Sequence, residues 1–228
     1  CKRLLWNKFF FGLLLILLLY GWQVLNGVTI SGVSHTAPFS PWSFGDYLSR
    51  MISLLWIGAL FFLTFFTSGK AQRADILTDA APVSPRRYVL ARYAAALTGT
   101  GLLALVCIAE AAFFYGRYFG WYGWEQLLFP VLITLVPALT FALGSGWLLG
   151  RVRPWLVYVW MLAPYVCMAL PLPDVLKIWN GQFFDDYPLT LGTLDPAFSI
   201  PAAVLVVQCG LFAVGIVLLM IRPAHSKR

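Results

Sequence analysis

The stretch FFFGLLLILLLYGWQVL, Phe9–Leu25, carries no charged residue from end to end. A helix needs about 20 mostly apolar residues to cross the hydrocarbon core of a bilayer. The run is continuous rather than alternating, so it reads as a spanning helix and not as a barrel strand. Working outward, five more such runs follow at roughly Ser49–Ser68, Val89–Tyr115, Leu127–Leu149, Trp155–Leu172 and Ala202–Ile221. The composition agrees. Of 228 residues 61% are hydrophobic, 17% aromatic and 11% charged, with a mean hydropathy of +0.80. A soluble domain carries about 25% charged residues, so a water-facing surface cannot be covered here. Disorder needs the opposite composition, and 19 Gly with 4 Cys exclude collagen-like and disulfide-rich chains. The expected fold class is all-α: a polytopic membrane protein of six transmembrane helices, forming one transmembrane domain over residues 1–228.

Lys and Arg in the short connections set the orientation. With both termini in the cytoplasm, 13 of the 16 basic residues fall inside, and only Arg50, Arg117 and Lys177 lie outside. Asp46, Glu125, Asp174, Asp185, Asp186 and Asp195 all fall outside. The net charge of +7 is then a topology signal. The basic residues are scattered among inner connections, which gives no nucleic-acid surface. Phe9–Leu25 differs from a signal peptide, because it lacks a small-residue cleavage site and five spans follow it. The first residue is Cys rather than Met, so the native start is expected upstream. Cys107, Cys167 and Cys209 fall in spans without CxxC or metal spacing and read as small apolar core residues.

Little reactive chemistry is present. The two His, His35 and His225, lie outside the spans. There is no HExxH and no GxxxxGK[ST], so neither a zinc protease nor a P-loop ATPase is expected. Glu110 is the one clearly intramembrane acid, and one acid does not make an acid–base pair. The chain is not expected to be an enzyme or to hold a cofactor. Glu110 has two readings. It lines a pathway or pairs across a helix contact, or it reaches the outer interface and pairs locally with Arg117.

Two outer connections exceed what a hairpin needs. The first, Asn26 to Asp46, includes Trp42 and Phe44. The second, roughly Pro173 to Pro201, contains VLKIWNGQFFDDYPLTL, which reads as one or two short interfacial or re-entrant helices between spans five and six. Val175, Ile178, Trp179 and Phe183 share a face there, with Trp179 and Tyr187 near the headgroups. Small residues cluster at Thr98–Gly101 and at Gly144, Ser145, Gly146 and Gly150. They suit close helix approach, inside one chain or between chains.

The most informative soluble stretch joins spans two and three: SGKAQRADILTDAAPVSPRRYVLARYAAAL, Ser68–Leu97. A short helical piece over about Arg73–Ala81 puts Ile76, Leu77 and Ala80 on one face, with Arg73, Asp75 and Asp79 as a polar rim. Pro82 ends it, and Ser84 with Pro85 restarts a helix. A plain hairpin needs only a few residues, so the piece suits docking of a soluble partner as well as topology.

Within it, ADILTDAAPVSPRRYVLARY, Ala74–Tyr93, resembles the inner loop of ABC-2 type transporter permeases. LTFALGSGWLLGRVRPWLVYV, Leu139–Val159, looks like that family's fourth and fifth spans. The resemblance implies a permease domain that pairs with a second copy or a related chain, as a homodimer or heterodimer. It implies a separate ATP-binding cassette ATPase subunit, carrying ATP and Mg, docked on a coupling helix built from Arg73, Asp75, Ile76, Leu77, Asp79 and Ala80. It further implies a re-entrant piece before the last span, the plasma (inner) membrane of a prokaryote, and export. The competing readings are an ion- or proton-coupled secondary transporter using Glu110, and a non-transport membrane protein.

Overall fold

Ser40 and Pro41 decide where the central helix begins. The Ser40 hydroxyl accepts the backbone N–H of Ser43 at 3.2 Å, and Pro41, which has no N–H to satisfy, takes the first helical position. The helix, α2, runs Pro41–Thr67 and not from Ser49, where hydropathy alone would start it. Trp42, Phe44 and Asp46 are therefore not loop residues. All three are fully buried in its first turns.

The computed structural model describes residues 8–67 and 85–220. The remaining helices are α1 (Lys8–Gly27), α3 (Pro85–Phe119), α4 (Glu125–Val152), α5 (Trp155–Trp160), α6 (Ala163–Ala169), α7 (Gln182–Thr190) and α8 (Ala202–Met220). Short 3-10 segments lie at Thr29–Ser31 and Asp174–Asn180, and no strand occurs among the described residues. α1, α2, α3, α4 and α8 are each long and apolar enough to cross a membrane, which fits a multi-pass membrane protein. α3 begins at Pro85, where a helix restart was expected, and its 35 residues reach about 52 Å at 1.5 Å per residue.

The run Trp155–Leu172 is not the single straight span that its hydropathy suggests. A turn at Met161 and Leu162 separates α5 from α6, and Trp155–Ala169 meets Asp174–Asn180 at 116°. Pro164 explains the first break. It has no N–H, so the Trp160 carbonyl four residues back lacks its helical partner. The indole Nε1 of Trp56 on α2 donates to that carbonyl at 3.1 Å. The Trp160 indole in turn donates to Ser145 Oγ on α4 at 2.8 Å. A buried carbonyl without a donor costs about 1–3 kcal/mol, so α2 stabilises the break from outside.

α2 is the hub. Leu48, Met51, Leu55, Ala59 and Phe62 recur at helical spacing and are fully buried. The helix packs on α1, α3 and α4, and near its start on α7. Gly99 faces Phe62, and Gly146 faces Leu60 and Leu63. α8 crosses α4 on a glycine pair: a Cβ on Gly215 would stand 2.8 Å from the backbone of Thr140 and Phe141, and one on Gly144 would run into the Gly215 carbonyl. These small residues thus serve packing within the chain.

The helices alternate in direction, so both expected outer connections meet at one end. There the Ala37 N–H donates to Asp195 Oδ1 at 3.2 Å, and Trp42 Nε1 donates to the Pro196 carbonyl at 2.9 Å. That end also carries Glu125, Asp174, Asp185 and Asp186, while Lys8, Arg92, Arg151 and Arg153 lie at the other. VLKIWNGQFFDDYPLTL forms two short helical pieces, Asp174–Asn180 and α7, hinged at Gly181 with φ +83°. Trp179, expected at the headgroups, turns inward: its Nε1 donates to Gln208 Oε1 at 3.3 Å, and its ring packs on Trp56 and Phe141.

Trp56→Phe should lower the Tm of the purified chain by roughly 2–12 °C. In a Pro164→Ala background residue 164 regains its N–H, and the same substitution should cost measurably less. Equal costs in both backgrounds would show that the indole does not serve the broken helix.

Candidate functional site

Among the described residues, two clusters containing acidic side chains are built on α2. The first is built around Glu110. On α3 the spacing of Cys107, Glu110 and Phe114 puts them along one side, facing α1 and α2. Opposite stands Gly21 on α1. A Cβ there would collide with Glu110 Oε2 and stand 3.0 Å from the Tyr47 hydroxyl, so only glycine leaves this slot open. Tyr47 on α2 is fully buried. Its hydroxyl donates to the Cys107 carbonyl at 3.1 Å and lies 3.5 Å from Glu110 Oε2. The intramembrane carboxyl is thus gathered into a contact of three helices. Its partner is Tyr47 across the helix interface, not Arg117 along α3.

The second group ties α2 to α7. Asp46 has no exposed side-chain surface and accepts from Arg50 Nε at 2.8 Å, one helical turn on. Arg50 is one-third exposed, and its Nη2 stands 4.0 Å from Asp185 Oδ2 on α7. The Ser49 hydroxyl donates to the Ile178 carbonyl at 2.7 Å, and the Ser34 hydroxyl donates to the Asp185 carbonyl. Gly45 leaves room for the Phe184 ring, and a Cβ on Gly181 would stand 2.9 Å from Asp46 Oδ1. Charge, hydroxyl and glycine contacts therefore seat the short helices before α8 on the start of α2. Burial raises the Asp185 carboxyl above its ordinary pKa; Arg50 partly offsets this and Asp186 adds to it. Lys177 matches the neighbouring acids, at 2.8 Å from Asp174 and 3.4 Å from Asp186.

The expected docking residues Arg73, Asp75, Ile76, Leu77, Asp79 and Ala80 lie outside the described residues. Among the described residues no group of three His, Cys, Asp or Glu is placed to hold a metal. Asp46 and Arg50 were readable only as outer charges. The signal for more was their spacing of four residues in a stretch otherwise able to form an apolar helix. No family model, curated protein or solved structure matches the chain.

Gly→Ala inside a helix normally stabilises by about 0.5–1 kcal/mol. Gly21→Ala should do the reverse and lower the Tm, because the new methyl displaces Glu110. In a Glu110→Ala background the slot is empty, and Gly21→Ala should become neutral or stabilising. A Gly21→Ala effect of the same sign in both backgrounds would remove the three-helix contact from the account.

Proposed function

We propose that the chain is the permease subunit of an ABC-2 type ATP-binding cassette exporter in the plasma membrane of a prokaryote. It works as a homodimer or heterodimer and is driven by a separate ATPase subunit. The observation that carries this reading is the sequence ADILTDAAPVSPRRYVLARY, Ala74–Tyr93, whose second half opens α3 at Pro85. The broken crossing at α5 and α6, followed by short helical pieces before α8, supports it.

The division of labour follows from the residues. The chain has no phosphate-binding GxxxxGK[ST], so ATP and Mg belong to the partner. Work must enter through the connection between α2 and α3, with Ile76, Leu77 and Ala80 set in a groove of the ATPase and Arg73, Asp75 and Asp79 at its rim. α2, Pro41–Thr67, runs without a break from that connection to the Arg50–Asp185 contact near its start. A displacement at one end is carried to α7 by a rigid rod. Lateral exposure of Leu15, Leu19, Val206 and Val217 suits contact with lipid.

A second reading, an ion- or proton-coupled transporter, draws on Glu110 being held at the meeting of α1, α2 and α3. It predicts transport abolished by collapsing the ion gradients with ATP present, whereas the ABC reading predicts transport retained.

Burial of a Leu side chain contributes about 1.5–3 kcal/mol, and about 1.4 kcal/mol is tenfold in affinity. Leu77→Asp should therefore weaken co-purification of the ATPase subunit at least about tenfold, while membrane insertion stays at wild-type level. Wild-type association and wild-type coupled ATPase activity in Leu77→Asp would refute docking at this face.

A further inference from the structure

A cavity of about 440 Å³ opens at the acidic end, between the loop that leads into α2, the start of α4 and the loop that leads into α8. That is the size of a small-molecule site. Its lining is chemically lopsided. Phe39, Phe129 and Phe198 supply rings, Asp195 supplies a carboxylate, and among the described residues no Lys or Arg lines it. The Phe129 and Phe198 rings stand 5.8 Å apart at 83°, as two perpendicular walls, and Phe198 is backed by Trp42 at 4.6 Å. Phe39 is backed by Phe119 at 5.9 Å and by Trp121 at 6.1 Å. The carboxylate is fixed as firmly. Asp195 Oδ1 accepts the Ala37 N–H at 3.2 Å, and the Asp195 N–H donates to the His35 carbonyl at 3.3 Å. Asp195 and His35 both hold left-handed backbone, with φ of 49° and 64°. Residues with a Cβ rarely adopt it, and such positions cluster where a ligand is held. Oδ2 of the exposed Asp195 has no hydrogen bond or ion pair among the described residues.

The geometry points to a binding site for a small organic cation, a quaternary ammonium group held against the Phe rings and neutralised by Asp195. The negative face of an aromatic ring attracts such a cation, whose alkyl groups also gain by leaving water. Other ligands fit the lining less well. An anion would meet the carboxylate with no basic side chain to balance it. The start of α2 forms part of the wall but offers an anion little: the Ser43 N–H is taken by the Ser40 hydroxyl, the Phe44 N–H by the Ser40 carbonyl at 3.1 Å, and Pro41 has none. A hard metal ion wants several oxygen ligands, and among the described residues no group of three His, Cys, Asp or Glu is placed to supply them. A sugar wants several donors and acceptors. The Ser40 hydroxyl is spent on Ser43, which leaves Gln126 and Asp195. Around the mouth, Glu125, Asp174, Asp185 and Asp186 outnumber Arg50, Arg117 and Lys177, so the field at this end draws cations inward. The site goes beyond the exporter reading and does not depend on it.

The test uses the purified full chain in an uncharged polyoxyethylene detergent, titrated by calorimetry with choline, with 3,3-dimethylbutan-1-ol and with glucose. The alcohol has the shape of choline with carbon in place of the charged nitrogen. The wild type should bind choline about tenfold more tightly than either neutral probe. Asp195→Asn keeps an oxygen for the Ala37 N–H and removes only the charge, so it should weaken choline binding about tenfold. Phe129→Leu should weaken it several-fold, and Phe129→Trp should retain or strengthen it, because Trp gives the strongest ring face. Phe129 is 45% exposed, so neither change disturbs the core. If Asp195→Asn fails to fold, the two Phe129 variants decide. Absence of choline binding, equal or tighter binding of the alcohol or of glucose, undiminished choline binding by a folded Asp195→Asn, or undiminished binding by Phe129→Leu would overturn the proposal. No ATPase subunit takes part, so failure here leaves the docking test untouched.

Discussion

A carbonyl in hydrocarbon has no water to bond to, and a membrane helix that breaks must find a substitute donor within the protein. Pro164 breaks the crossing that begins at Trp155, and the Trp56 indole supplies the donor for Trp160. This contact fixes where α5 and α6 sit relative to α2. The Trp160 indole then reaches Ser145, which ties the same break to α4. The short helices before α8 pack into the angle so formed, with Trp179 edge-on to Trp56 and tilted against Phe141. Removing the donor therefore affects more than one hydrogen bond. It loosens the joint around which the last third of the chain is arranged.

Because α2 supplies that donor, it also links the two ends of the molecule. At the acidic end it presents Asp46, Ser49 and Arg50 to the pieces before α8. Beside Asp46, at the same end, its Tyr47 meets Glu110 of α3. Its other end leads into the connection that the ABC-2 reading assigns to the ATPase. Buried charge inside the crossing region is costly unless paired, and here Asp46 and Glu110 are both gathered onto this helix. The polar sites lie where helices must keep their register, and they give α2 the contacts through which a push at one end would be felt at the other.

Much of this was legible in the residues. Continuous apolar runs located α1, α3, α4 and α8 to within a few residues, because length and hydropathy alone decide what crosses a bilayer. Ser84–Pro85 marked the start of α3. The same signal at Ser40–Pro41 is obscured by the Gly, Ser and Pro of the preceding loop, so hydropathy starts α2 late and leaves Asp46 in the loop. Pro164 was visible, yet hydropathy runs straight through it. Whether it bends or breaks a helix depends on a donor from another helix, which no local pattern contains. The partners of Glu110 were illegible for the same reason: Gly21 and Tyr47 belong to two other helices, and only the packing of α1 and α2 against α3 brings them together. The pairing of Gly144 with Gly215 likewise needed the α4–α8 crossing to choose between packing within the chain and contact between chains.

The central claim is that the acidic and basic ends lie on opposite sides of a membrane, with the connection between α2 and α3 in the cytoplasm. It is tested most directly by labelling single cysteines at Leu194, which is 84% exposed at the acidic end, and at Ser84. The background has Cys1, Cys107, Cys167 and Cys209 replaced, and the reagent is a membrane-impermeant maleimide applied to intact cells. The account predicts that residue 194 reacts in intact cells and residue 84 only after permeabilisation. Reaction of residue 84 in intact cells, or protection of residue 194 there, would contradict the topology and with it the docking of a cytoplasmic ATPase.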